Sequence, residues 1–108
     1  MNNETPIVRV YMARMKPAYF QLSEEEQHQF MARDRANLDT LGMRAISMID
    51  CTESDSEWDY IGVEGWPSIG AVEERERFEN EELQVSRYVE YEVHLGVPQS
   101  FNEYGRSK

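Results

Sequence analysis

From Ile7 to Met15 the chain reads Ile-Val-Arg-Val-Tyr-Met-Ala-Arg-Met, rich in β-branched and aromatic residues, which predicts a first strand. Pro17 has no N–H for a central ladder, so the strand stops before it. Ser23 then opens a helix. Its hydroxyl can accept from the N–H of Glu26 while the Glu26 carboxylate reaches back, the reciprocal pair of a capping box. Glu24 and Glu25 add negative charge at the positive end of the helix dipole. Phe30, Asp34, Leu38 and Leu41 follow at helical spacing with Met31 beside them, and Gly42 is placed to stop the helix in a left-handed conformation.

Met43 to Cys51 is the second predicted strand, Thr52 to Ser56 a polar turn, and Trp58 to Trp66 a third strand completing a hairpin. Pro67 ends it, and Ser68 caps a second, heavily charged helix from about Ile69 to Val85. Its few apolar anchors are Val72, Phe78, Leu83 and Val85. Tyr88 to Leu95 is the fourth strand, stopped by Gly96 and Pro98. The first six residues and the last ten, Gln99 to Lys108, read as tails around a core of about 7–96. This order, βαββαβ, predicts a single α+β domain over 1–108 of ferredoxin-like type: a four-stranded antiparallel sheet with two helices on one face. The uncovered face needs a partner, and two sheets packed face to face make a homodimer with a barrel-like interior.

Strand side chains alternate faces. On the third strand Ile61, Val63 and Gly65 oppose Trp58, Tyr60, Gly62, Glu64 and Trp66. On the first, Val8, Val10 and Met12 oppose Ile7, Arg9, Tyr11, Ala13 and Met15. On the fourth, Tyr91, Val93 and Leu95 oppose Glu90, Glu92 and His94. The second strand reads either way: Ala45, Ser47, Ile49 and Cys51 against Arg44, Ile46, Met48 and Asp50. Small aliphatic sets suit contact with helices. The face away from the helices is therefore expected to carry Arg9, Tyr11, Trp58, Tyr60, Glu64, Trp66, Glu92 and His94. Aromatic walls with a few convergent polar groups suit a pocket for a small organic ligand, whereas a plain dimer interface is more aliphatic.

In a catalytic reading His94 is the general base, since an imidazole titrates near ~6.5. Tyr60, or Tyr11, donates a hydrogen bond to a developing enolate oxygen, and Arg9 assists electrostatically. Trp58 and Trp66 stack on the substrate, and Glu64 and Glu92 complete the lining. In the competing reading the aromatics are packing, and Glu64 and Glu92 are exposed or paired with Arg9 and Arg44. The protein is then a ligand-binding or accessory protein whose aromatic face is only a dimer interface.

Composition narrows the field. Of 108 residues 40% are hydrophobic, enough for one core that buries roughly two thirds of the unfolded surface. Eleven basic against twenty-one acidic residues give a net charge of −10, which disfavours nucleic acid and anionic membranes. Cys51 is the only cysteine, so no internal disulfide forms, and a cytoplasmic location is expected. Residues 1–6 lack the basic-then-apolar pattern of a secretory signal, and no apolar run approaches the roughly 20 residues that span a bilayer. There is no phosphate loop, serine elbow or metal-ligand spacing, so no cofactor or metal is expected.

The element order and the polar–aromatic sheet face resemble the dimeric α+β barrel superfamily. Within it, Lys16-Pro17-Ala18-Tyr19 followed by Leu22-Ser23-Glu24-Glu25-Glu26 resembles the opening of darcynin-like domains, which have a Lys-Pro-x-aromatic turn before a capped helix. The resemblance covers roughly residues 7 to 96. The second helix departs from that group in being far more charged. The wider superfamily includes cofactor-free monooxygenases and cyclases acting on aromatic polyketides, lactone isomerases, haem-degrading enzymes and dye-decolourising peroxidases. The resemblance implies a ligand held between sheet and helices or inside the barrel. In the catalytic reading the protein is a cofactor-independent cyclase, isomerase or monooxygenase acting on an aromatic or polyketide-like metabolite; in the other it is a non-catalytic ligand-binding or accessory protein.

Overall fold

The structure is a computed structural model that describes residues 2–105; Met1 and the last three residues of the expected tail, Arg106 to Lys108, lie outside them. The elements in order are β1 (Ile7–Met15), α1 (Pro17–Phe20), α2 (Glu24–Thr40), β2 (Arg44–Asp50), β3 (Tyr60–Trp66), α3 (Ile69–Glu81) and β4 (Val89–Gly96). Short 3-10 turns at Val85–Arg87 and Phe101–Glu103 complete the path. The sheet is antiparallel with order β2-β3-β1-β4, so β1 is central between β3 and β4. This is the ferredoxin-like arrangement.

Local chemistry sets the helix ends. Ser23 Oγ accepts from the Glu26 N–H at 3.1 Å and the Ser23 N–H donates to Glu26 Oε1 at 2.9 Å, so the capping box closes in both directions. At the other end Gly42 has φ +81°, its N–H reaches Asp39 O at 3.2 Å, and the Met43 N–H reaches Leu38 O at 3.0 Å. These two bonds form a Schellman motif, which needs a left-handed residue at the glycine. Ser68 caps α3 by accepting from the Ala71 N–H at 3.1 Å. The unanticipated α1 is one turn of helix with Pro17 in its first turn, where the missing N–H costs nothing. It seats buried Tyr19 edge-on against Phe30 of α2 at 5.9 Å.

A small aliphatic–aromatic core of Ile7, Leu38, Trp66 and Val72 joins the sheet to α2 and α3. β3 starts at Tyr60 rather than Trp58. The preceding Asp59 instead ties three segments together: its N–H donates to Ala13 O at 2.9 Å, its carbonyl accepts from the Cys51 N–H at 2.7 Å, and its carboxylate accepts from the Met15 N–H at 3.0 Å.

The face assignment expected from the sequence is inverted for β1 and β3. Arg9, Tyr11, Tyr60, Glu64 and Trp66 face the helices. The aliphatic set Val8, Val10, Met12, Ile61 and Val63 lies on the helix-free face, where none of these five side chains is fully buried. The cause lies in α3. Val72, Arg75 and Glu79 are its buried residues, so this charged helix turns two of its charges inward and selects the charged strand faces as partners. On β2 a register shift between Ala45 and Ser47 combines the two alternatives. Arg44 and Ile46 reach across Gly65, Ile49 pairs with Ile61, and Met48, paired with Gly62, turns toward the helices.

Candidate functional site

Between the sheet and α2 and α3 lies a cavity of ≈ 350 Å³. Its sheet wall is Arg9, Tyr11, Ala13, Met15, Tyr60, Glu64, Val89 and Tyr91 with Met48, and its helix wall includes Phe30, Met31, Asp34, Leu38, Arg75 and Glu79. Most of that surface is apolar, and the charges gather at one end.

Those charges form a continuous chain. Arg9 Nη1 donates to Glu64 Oε1 at 2.8 Å, and Arg9 Nη2 donates to both oxygens of Glu79 at 3.1 Å. Glu79 also accepts from Arg75 Nε at 3.1 Å, and Arg75 continues to Asn37 Oδ1 at 3.0 Å and to Asp34. Trp66 Nε1 donates to the same Glu64 oxygen at 3.0 Å. Arg9, Glu64, Arg75 and Glu79 are each 2–5% exposed, so the network is removed from water as a unit. Buried charges persist only when paired this densely. Arg9 Nε is the one buried side-chain nitrogen or oxygen without a partner among the described residues. Burial by itself would weaken the Arg9 cation, yet Glu79 and Glu64 outweigh that and hold its pKa above the usual value.

Tyr11 lines the cavity close to this network. Its ring lies flat across β3 at Gly62, where a Cβ would overlap the ring and stand 2.7 Å from the hydroxyl oxygen. Glycine is therefore required opposite Tyr11. The hydroxyl donates to Met48 Sδ at 3.8 Å, a weak acceptor. Burial, with the negative charges of Glu64 and Asp34 behind it, pushes the phenol pKa up to about 12, so Tyr11 is a donor at neutral pH. Tyr91 is pushed up likewise, by burial first and by Glu79 second.

The structure thus brings Arg9, Tyr11, Tyr60 and Glu64 around one cavity and leaves the other expected residues elsewhere. His94 pairs with Val10 and Glu92 with Met12 in the β1–β4 register, so both point from the helix-free face, opposite to Arg9 and Tyr11. His94 Nε2 lies 2.9 Å from Glu92 Oε2, and both side chains are more than half exposed. The expected shared face of His94 with Tyr60 and Arg9 is corrected by that register, since directly paired residues share a face. Trp66 belongs to the core. Trp58 precedes β3 and carries the Arg14 guanidinium 5.3 Å above its ring, while Arg14 also pairs with Glu90 at 2.9 Å. Glu64 takes up the alternative of an ion pair with Arg9.

Sequence reasoning missed Asp34, Arg75 and Glu79 as members of the site. A signal existed: Val72, Arg75 and Glu79 share one stripe of α3, and a helix with so few apolar anchors must bury something else on that stripe. Among the described residues no group of three or more His, Cys, Asp or Glu side chains is arranged to hold a metal ion.

Solved structures share this architecture. A protein of unknown function from Rhodopseudomonas palustris is 16% identical with a TM-score of 0.63, covering 92% of this chain and 86% of that one. A DABB-family protein with a ferredoxin-like fold from Mesorhizobium loti is 12% identical with a TM-score of 0.57, over 88% of this chain and 98% of that one. A chlorite dismutase from Candidatus Nitrospira defluvii is 10% identical with a TM-score of 0.70, over 92% of this chain. The chain spans 42% of that chlorite dismutase's length. Neither a protein-family model nor a curated protein sequence matches the chain. Identities this low establish the fold alone. The class is ferredoxin-like α+β. The chain shares this fold with those structures over 88–92% of its length.

Proposed function

We propose that this protein binds a small, largely apolar organic molecule in the cavity between sheet and helices. The observation that carries the reading is the cavity itself. A volume of ≈ 350 Å³ with apolar walls, closed at one end by buried charges and a protonated phenol, has the make-up of a small-molecule site. An aromatic or polyketide-like metabolite matches Phe30, Tyr60, Tyr91 and the methionines along the wall. Catalysis without a bound cofactor is the step that Tyr11 favours, as a hydrogen-bond donor to an enolate oxygen in a cyclase-, isomerase- or monooxygenase-type reaction. His94 would contribute only from the other side of the sheet. A non-catalytic carrier is the alternative, and product formation followed by mass spectrometry separates the two.

The helix-free face supports a homodimer. Val8, Val10, Met12, Ile61 and Val63, with Ile46 and Ile49 about half exposed, form the aliphatic surface expected of an interface rather than of a pocket. Acidic Glu90 and Glu92 on one edge and Arg44 on the other would meet their opposites in an antiparallel face-to-face pair.

Thermal shift with a panel of neutral planar aromatic compounds tests the cavity reading. Ala13→Trp fills the cavity from the sheet and Met48→Trp from its exposed side. Compounds that raise Tm in the wild type are expected to lose the effect in both variants. Retention in both would locate binding elsewhere and end the reading.

A further inference from the structure

The binding site described above has a charge balance and a donor geometry that select among ligands. At its polar end Arg9 and Arg75 supply two positive charges, while Glu64, Glu79 and Asp34 supply three negative ones, a formal sum of −1. Both cations are already committed to carboxylates within the chain. A ligand carboxylate would find a single unpartnered guanidinium N–H, Arg9 Nε, rather than a free fork, and it would be buried against an existing excess of negative charge. The buried arginine that would ordinarily signal an anion site is internally neutralised.

Tyr11 has the opposite status. Among the described residues its hydroxyl has only a thioether acceptor at 3.8 Å, far poorer than an oxygen, and Tyr11 lines the cavity near the charged residues. The ring can take this position only because residue 62 is glycine. A phenol held in place by a close backbone approach, protonated and poorly satisfied, is a donor prepared for an incoming acceptor.

We infer that the cavity is selective for a neutral planar ligand bearing a carbonyl oxygen that accepts a hydrogen bond from Tyr11, and that it rejects the corresponding carboxylate. Gly62 is the positioning residue for that contact. The inference rests on the cavity reading proposed above and adds the ligand's charge and functional group to it.

Three probes built on one planar ring separate the terms: naphthalene, acetylnaphthalene and naphthoate, titrated by calorimetry into the wild-type protein, Tyr11→Phe and Gly62→Ala at neutral pH. One hydrogen bond to a half-buried donor predicts that acetylnaphthalene binds the wild type about tenfold tighter than naphthalene. Naphthoate is expected to bind more weakly than either. Tyr11→Phe should bring acetylnaphthalene down to the level of naphthalene while leaving naphthalene unchanged. Gly62→Ala, in which the ring must swing off the sheet, should lose the same preference although the phenol is retained. Naphthalene binding with no preference for the ketone, a preference that survives Tyr11→Phe, or tightest binding by naphthoate would each overturn the inference and leave the cavity reading intact. Binding of no probe at all would overturn both.

Discussion

Replacing Arg9 with methionine removes the group that neutralises two buried carboxylates, and its cost can be worked from the geometry. Three hydrogen bonds disappear, one to Glu64 at 2.8 Å and two to Glu79 at 3.1 Å. The carboxylates are not left bare. Glu64 keeps the indole N–H of Trp66 at 3.0 Å, and Glu79 keeps Arg75 Nε at 3.1 Å. Glu64 nevertheless becomes a buried anion with no cation among its hydrogen-bond partners. Removing one partner of a buried ion pair costs about 3–5 kcal/mol, a large part of the about 5–15 kcal/mol typical of a whole domain. At an m-value of about 1.5 kcal/mol per molar, the urea midpoint should fall by about 2 M or more. The assay is equilibrium urea unfolding by far-UV circular dichroism at one fixed protein concentration, because any dimerisation couples stability to concentration. Arg9→Met/Glu64→Gln should recover part of the loss, since glutamine still accepts from Trp66 but carries no charge. Acidification should also recover part of it in Arg9→Met, because protonation removes the stranded charge. A midpoint shift corresponding to less than about 1 kcal/mol, the value of an exposed pair, would refute the reasoning: the network would then be solvated, and the polar end of the cavity would not exist as described.

Further outcomes follow from separate features. Gly42→Val should lower stability by about 1–2 kcal/mol through the left-handed backbone alone, since the space at that position is open enough for a Cβ, with Pro67 Cγ 3.5 Å away; an unchanged Tm would contradict it. In a spectrophotometric titration at pH 11 the wild type and Tyr11→Phe should show the same tyrosinate absorbance, because a phenol pKa of about 12 keeps Tyr11 protonated there. The sign for stability agrees: a folded-state pKa raised from 10.0 to about 12 means that Tyr11 costs the fold nothing below pH 10, and stability falls as the pH rises between the two values. Sedimentation at micromolar concentration should show a dimer, and Val63→Glu on the helix-free face should shift it toward monomer; a monomeric wild type would remove the interface reading.

What the sequence disclosed and what it withheld divide by the range of the interaction. The capping box of Ser23 and Glu26, the stop at Gly42 and the alternation along β1, β3 and β4 are decided within a few residues, and each is visible from the residue types alone. Which of two alternating sets meets the helices is decided at long range. Val10 and Val63 look like the set that meets the helices, and Arg9 and Glu64 like the wall of the helix-free face, until Arg75 and Glu79 of α3 are placed opposite Arg9 and Glu64. The phase of β4 is fixed only by its register on β1, and that register parts His94 from Arg9 although each strand alternates as its sequence predicts. On β2 the shift between Ala45 and Ser47 breaks the alternation itself, so neither assumed face was complete. Gly62 shows its purpose only when Tyr11 is seen lying across it.

The central claim, a small-molecule site between sheet and helices, is tested most directly by intermolecular nuclear Overhauser effects between bound acetylnaphthalene and the protein. Contacts are expected to the side chains of Tyr11, Phe30 and Met48, all of which line the cavity. Contacts to Val10, Val63 or His94 instead would place the ligand on the helix-free face and contradict it.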